Sequence, residues 1–318
     1  MATPRLRALD DGRKPRRKRS GHPRKPPAPL RPLHSLWRRT IDQLDIVPVA
    51  LPVRDLAPAL EGVVACQISD FHVDRDEDLA RLEAAVVRIN QQQPDLVFLT
   101  GDYFSGGPTM RRYLADFRRV LAELKPSSGV FAILGNHDHH ASFTLISDAL
   151  KRAGARVLAN EHQRVMLNHE PLNIVGIDDL WSHRAEPARA FRGLAPSESS
   201  IVLAHNPDTA LYTRHLAPGV MLSGHTHGGV VRIPFYGSPI RSLLRIGKNY
   251  YAGLNRYNEF YIYTNRGLGT FWLRIRINCR PEISRFTLTR LADSAAGVAP
   301  APEHHVRRRR AHRLRAAG

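Results

Sequence analysis

Cysteine is scarce, with Cys66 and Cys279 the only two in 318 residues. One pair cannot build a disulfide framework, so the chain must fold on an apolar core, and both thiols are expected to be buried. Long apolar runs are absent too: no stretch approaches the ~18 residues that a membrane-spanning helix needs. No export signal is visible in the sequence. The basic start GRKPRRKRSGHPRKPP runs into prolines, and in WRRTIDQLDIVPVALPV the paired arginines are followed by Asp42 and Asp45. The last two absences make a cytoplasmic location the expectation, while the cysteine number says little about compartment. Acidic residues are outnumbered, 29 against 47 Lys and Arg, for a formal net charge of +18.

That imbalance is local. Residues 1–39 carry thirteen Lys and Arg against Asp10 and Asp11, and residues 303–318 carry six Arg against Glu303. The body between them is nearly neutral, so the charge describes two arms and not the fold. Both arms are poor in large apolar side chains and are expected to be disordered. The chain therefore divides into a basic Pro/Arg-rich arm at 1–39, one domain at 40–292 and a basic tail at 293–318. Arginine clusters neutralise phosphates without reading sequence, so the arms suit an anionic membrane surface or a nucleic acid as well as they suit a solvated tail. Leu33, Leu36, Trp37 and Ile41 beside Arg38 and Arg39 fit either a peripheral membrane anchor or packing on the body. No protein partner is inferred.

Within the body, 42% hydrophobic content overall is enough for a sizeable core. Short β-branched runs alternate with amphipathic segments. Strands are expected at 62–69, 95–100 and 129–134, and helices at 77–92, 110–125 and 143–154. Then come 155–160, a hairpin at 162–168 and 171–178, strands at 200–208 and 219–229, and strand-like pieces within 258–291. Strand–helix alternation suggests a parallel sheet, and ligand sites in such sheets lie beyond the carboxyl ends of the strands.

Five of those ends carry polar clusters: Asp70-Phe71-His72, Gly101-Asp102, Gly135-Asn136-His137-Asp138, His205 and Gly224-His225-Thr226-His227. Carboxylate, amide and imidazole together are a ligand set for divalent metals of intermediate hardness. Residues i and i+2 of an extended strand point the same way, which would let Asp70 and His72 share a face, and His225 and His227 likewise. The histidine pair is expected to give one imidazole to each of two neighbouring metals.

The ordered blocks D-x-H, G-D, G-N-H-D, H and G-H-T-H resemble the calcineurin-like metallophosphoesterase family. The stretch beyond them resembles its bacterial YaeI/YkuE-like phosphodiesterase branch. The resemblance implies a four-layer α/β/β/α sandwich and two divalent ions drawn from Mn, Fe, Zn or Ni. It implies Asp70, His72 and His227 on the first metal, Asn136, His205 and His225 on the second, and Asp102 bridging them. A water activated between the metals would attack a phosphate ester or pyrophosphate. His137 would assist the leaving group, with Asp138 orienting it. His139 and His140 are candidate substrate contacts, and Asp178 and Asp179 end a strand near the site or form a turn. The expected activity is that of a phosphodiesterase, possible substrates including lipid-linked and UDP-sugar phosphoesters. A phosphomonoesterase, a nuclease and a non-catalytic binding module are the alternatives.

Overall fold

A computed structural model describes residues 43–233, 236–239, 243–270 and 276–291. Both basic arms, the anchor-like segment at 31–41 and most of the strand-like piece at 271–278 lie outside the described residues.

Two six-stranded sheets form the centre. The first contains β1 (Asp45–Val53), β12 (Glu282–Arg290), β2 (Val64–Ile68), β3 (Leu96–Leu99), β4 (Gly129–Ala132) and β5 (Ala155–Val157), in that spatial order. The second runs β10 (Gly253–Tyr257), β11 (Phe260–Thr264), β9 (Val220–Ser223), β8 (Ser200–Ala204), β7 (Glu170–Ile177) and β6 (Glu161–Leu167). β2 to β5 are parallel, as are β11, β9, β8 and β7. The antiparallel pairs are β12–β2, β6–β7 and β10–β11.

The two-residue period of a strand explains the layering. Ala65, Leu96, Phe98, Phe131, Ile201, Leu203, Val220 and Leu222 face one central core between the sheets. The alternate residues Cys66, Val97, Leu99 and Ala132 face a second core under helices α1 (Asp76–Gln91), α2 (Gly107–Leu121) and α3 (Asn136–Arg152). Val202, Ala204 and Met221 face a third core, shared with Ala190 of the short α4 (Pro187–Ala190) and Ala210 of α5 (Ala210–Thr213). Three cores between four layers make the α/β/β/α sandwich. Because every central strand is covered on both faces, its sequence is a continuous apolar run.

The helices sit on the first sheet for the same reason. α1 buries Leu82, Ala85, Val86 and Ile89 on one stripe, with Asp76, Glu77 and Asp78 at the positive end of its dipole. α2 buries Met110, Tyr113, Phe117, Val120 and Leu121. α3 differs from expectation. It starts at Asn136, directly after β4, and is broken at Ser142, whose φ and ψ of 179° and 104° are extended. The periodic stretch from 143 onward is only its second part. β1 is a strand that periodicity did not reveal, because Pro48 and Pro52 interrupt the segment. It lies at the sheet edge, where proline is tolerated. Among the described residues no helix is long and apolar enough to cross a membrane.

Candidate metal centre

The carboxyl ends of β2, β3 and β4 in one sheet and of β8 and β9 in the other open on the same rim, and the five polar clusters converge there. Asp70 and His72 follow β2, Asp102 follows β3, Asn136 opens α3 after β4, His205 follows β8, and His225 and His227 follow β9. Asp70, His72 and His227 form one group of converging donor atoms, and Asp102, His205 and His225 form another. Within each group the donor atoms lie within 4.8 Å of one another.

The local backbone is not the extended one that i, i+2 spacing implies. Asp70, His72, Asp102, His225 and His227 all have positive φ, between 46° and 69°. This left-handed conformation is costly for residues with a Cβ and recurs where a site over-determines the chain. Asp70 and His72 do share a group, but through tight turns and not through strand pleating. His225 and His227 separate into the two groups.

Hydrogen bonds lock these turns. The backbone N–H groups of Phe71 and His72 both donate to the carbonyl of Asp102, at 2.8 and 3.2 Å, joining the first two loops. The N–H of His225 donates to both carboxylate oxygens of Asp70 at 3.0 Å. The N–H of His137 donates to Asp102 Oδ1 at 2.9 Å. His205 Nδ1 donates to the carbonyl of Thr100 at 2.7 Å, which turns Nε2 inward to 3.1 Å from Asp102 Oδ2. The same Oδ2 lies 3.8 Å from His72 Nε2, so Asp102 stands between the groups. His72 Nδ1 pairs with the Ser105 hydroxyl at 2.8 Å, a contact that sequence spacing did not single out.

Close approach requires glycine beside both groups, Gly135 and Gly224 being the two that abut the carboxylates most closely. A Cβ on Gly135 would run into the Asp102 carboxylate, and one on Gly224 would run into Ser69 Oγ and the Asp70 carboxylate.

The electrostatics fit cations. Asp70 and Asp102 are essentially inaccessible, and among the described residues their ion-pair partners are imidazoles. Burial pushes Asp70 up to about 6. Burial also pushes Asp102 upward, but His205 and His72 outweigh it and hold the carboxyl below the usual range. Burial, reinforced by neighbouring imidazoles, lowers His72 to about 4 and His225 to about 3, which leaves them as neutral donors. Asn136 Oδ1 is buried with no hydrogen-bond partner. Buried carboxylates whose ion-pair partners among the described residues are imidazoles and not Lys or Arg, the neutral His72 and His225, and an orphaned amide oxygen together suit divalent ions.

His137 is half-buried at the mouth, its ring 5.1 Å from that of His72. Asp138, next in the chain, is held by backbone donors. Its carboxylate is fully buried and accepts the backbone N–H groups of Gly135, Asp102 and Tyr103 at 2.8–2.9 Å. It ties the β3 and β4 loops together. His139 Nε2 meets Asp178 Oδ1 at 2.7 Å, a brace that links α3 to the end of β7. His140 is exposed. Asp179 is buried and accepts the N–H of Ser182 at 2.6 Å. Trp181, not among the candidates drawn from sequence, contacts the His225 ring with centroids 4.3 Å apart. A single aromatic in a loop carries no sequence signal that would have found it.

The profile of the calcineurin-like phosphoesterases matches residues 65–229, which spans every cluster of the site. The chain belongs to the calcineurin-like phosphoesterase family. It is 36% identical to the phosphodiesterase YaeI of Escherichia coli K12 over 224 residues, 70% of this chain and 80% of that one. It is 35% identical to the uncharacterized metallophosphoesterase YkuE of Bacillus subtilis 168 over 230 residues, 72% and 79% of the two chains. It is also 26% identical to the UDP-2,3-diacylglucosamine pyrophosphatase LpxG of Chlamydia muridarum over 275 residues, 70% of this chain and 83% of that one. As a family member it is a hydrolase of phosphate esters that works with divalent metal ions.

Proposed function

We propose that the chain is a two-metal phosphodiesterase. The observation that carries this is the position of Asp102, whose Oδ2 faces His205 on one side and His72 on the other. In this reading Asp70, His72 and His227 hold one ion, Asn136, His205 and His225 hold the second, and Asp102 serves both. Two such ions supply Lewis acidity to the phosphoryl oxygens and an acidified water at neutral pH.

The chain's own residues do the rest. The Thr100 carbonyl and the Ser105 hydroxyl fix the orientation of two imidazoles. His137, at the mouth, donates a proton to the departing alkoxide. The likeness to YaeI supports a diester substrate, and the likeness to LpxG supports a lipid-linked or UDP-sugar pyrophosphate. The basic arms suit peripheral attachment to an anionic membrane, where such a substrate is met. Salt-sensitive binding to anionic but not neutral vesicles is the expected result.

The test is hydrolysis of bis-p-nitrophenyl phosphate and p-nitrophenyl phosphate after chelation, and after return of Mn²⁺, Fe²⁺, Zn²⁺ or Ni²⁺. Metal-restored cleavage that favours the diester, and that Asp102→Ala abolishes, is expected. Cleavage of the monoester alone would replace this reading with a phosphomonoesterase. No cleavage by protein that binds two ions would overturn the generic diesterase.

A further inference from the structure

We infer that Trp181 is the specificity-determining residue of this site and stacks against a planar ring, such as a nucleobase, carried on the substrate phosphate. The inference rests on the phosphodiesterase reading and extends it to one substrate class. Trp181 lies four residues past the end of β7, on the same rim as the metal-binding groups. It meets the His225 ring at 82° with centroids 4.3 Å apart, yet 60% of it is exposed. A large aromatic side chain that touches a candidate ligand and keeps most of its surface open presents a π-face beside the site where the phosphate would bind.

Hydrogen bonds hold the loop that presents it. Asp178 joins His139 at 2.7 Å and accepts the N–H of Asp179 at 2.8 Å. The Asp179 carboxylate accepts the N–H of Ser182 at 2.6 Å, and its carbonyl accepts that of Arg184 at 3.1 Å. Asn160 accepts the N–H groups of Asp178 and Glu186 and donates to the carbonyl of Arg184 at 2.8 Å. Bonds on both sides of Trp181 therefore hold the backbone that carries the indole, and the His225 ring supports one edge of it, which lowers the entropy lost on binding.

The surroundings choose the ligand. Apart from Leu180, the flanking loop residues Asp179, Ser182, His183 and Arg184 are polar. This loop thus presents one flat plate and not a run of apolar side chains that would suit an acyl chain. A plate beside the reacting phosphate suits a ring one sugar away from it, and stacking tolerates any base because every base has a π-face.

The experiment compares two diesters with the same leaving group, the p-nitrophenyl ester of thymidine 5′-monophosphate and methyl p-nitrophenyl phosphate. Wild type should prefer the thymidine ester in kcat/KM. Trp181→Ala should lower that preference roughly tenfold or more, the scale of one base stack, mainly through KM. Trp181→Phe should keep most of it. An unchanged preference in Trp181→Ala would overturn the inference, because a residue that only supports His225 affects both esters alike. If wild type cleaves neither ester, the diesterase reading fails, and calorimetry on Zn²⁺-loaded protein decides Trp181 separately. Thymidine 5′-monophosphate losing tenfold or more affinity in Trp181→Ala relative to methyl phosphate supports the stack. Equal losses, or none, overturn it.

Discussion

His205 Nδ1 donates to the Thr100 carbonyl at 2.7 Å, and that one bond decides that Nε2 is the nitrogen facing Asp102. A carbonyl can only accept, so the tautomer is fixed before any cation arrives. Replacing His205 with alanine removes a donor from one group only. Elemental analysis should show metal content falling from about two ions per chain toward one. Diester cleavage should fall by more than the ~10–100-fold that loss of an outer-sphere partner costs. Two retained ions in His205→Ala would remove His205 from the ligand set.

His137 and Asp138 are adjacent in sequence but should fail in different ways. His137→Ala should keep metal content and melting temperature while lowering cleavage roughly 10²–10⁴-fold for an alkyl leaving group. The loss should shrink for p-nitrophenoxide, which leaves without a proton. Asp138→Ala strands three buried N–H donors and should destabilise the fold by about 3 kcal/mol or more. Denaturant titration beside rate measurements checks both. A stable, inactive Asp138→Ala would restore that carboxylate to the chemistry.

These two residues show where sequence stops being informative. The central strands were legible because burial on both faces leaves continuous apolar runs, and the polar clusters were legible because each closes such a run. β1 was not, since its partner β12 lies far along the chain and its prolines break the pattern that would mark a strand. The tertiary bonds that consume both oxygens of Asp138 come from Asp102 and Tyr103 as well as from Gly135, so a motif read in one dimension could not assign them. The same holds for Trp181, whose meaning arises only from its distance to His225. The ligand turns were misread in geometry but not in identity: spacing reports which residues are near one another, while positive φ at Asp70 and His227 comes from the packing of crossing loops.

Gly224→Ala tests how closely the loops cross. The added methyl would meet Ser69 Oγ and the Asp70 carboxylate, and Asp70 also accepts the His225 N–H. The loop after β9 must then move away from the loop after β2, separating His227 from Asp70. Loss of the first ion and of nearly all diester cleavage is expected, with the far-ultraviolet circular dichroism preserved. Gly154→Ala serves as the comparison, because a Cβ there meets nothing within 4 Å even though its φ of 89° adds local strain. Full metal content in Gly224→Ala would show that the contact relaxes without disturbing the ligands.

Cys66 allows a check of the core that is independent of the metals. It is fully buried in β2, and burial pushes its thiol up from 9.0 to about 12, against a smaller opposing pull from Arg285. A raised folded value means the native state holds the proton more tightly than the unfolded chain does. Its contribution to stability is therefore complete below pH 9 and is lost as pH rises from 9 toward 12. Comparison with Cys66→Ala cancels the other groups that titrate in this range. The stability of wild type relative to Cys66→Ala should hold constant up to about pH 9 and then fall by up to about 1.4 kcal/mol per pH unit. Denaturant titrations at pH 8.5 and 10.5 measure it. A relative stability that stays flat across both would mean that the Cys66 thiol reaches solvent and ionises in the folded state as it does in the unfolded one.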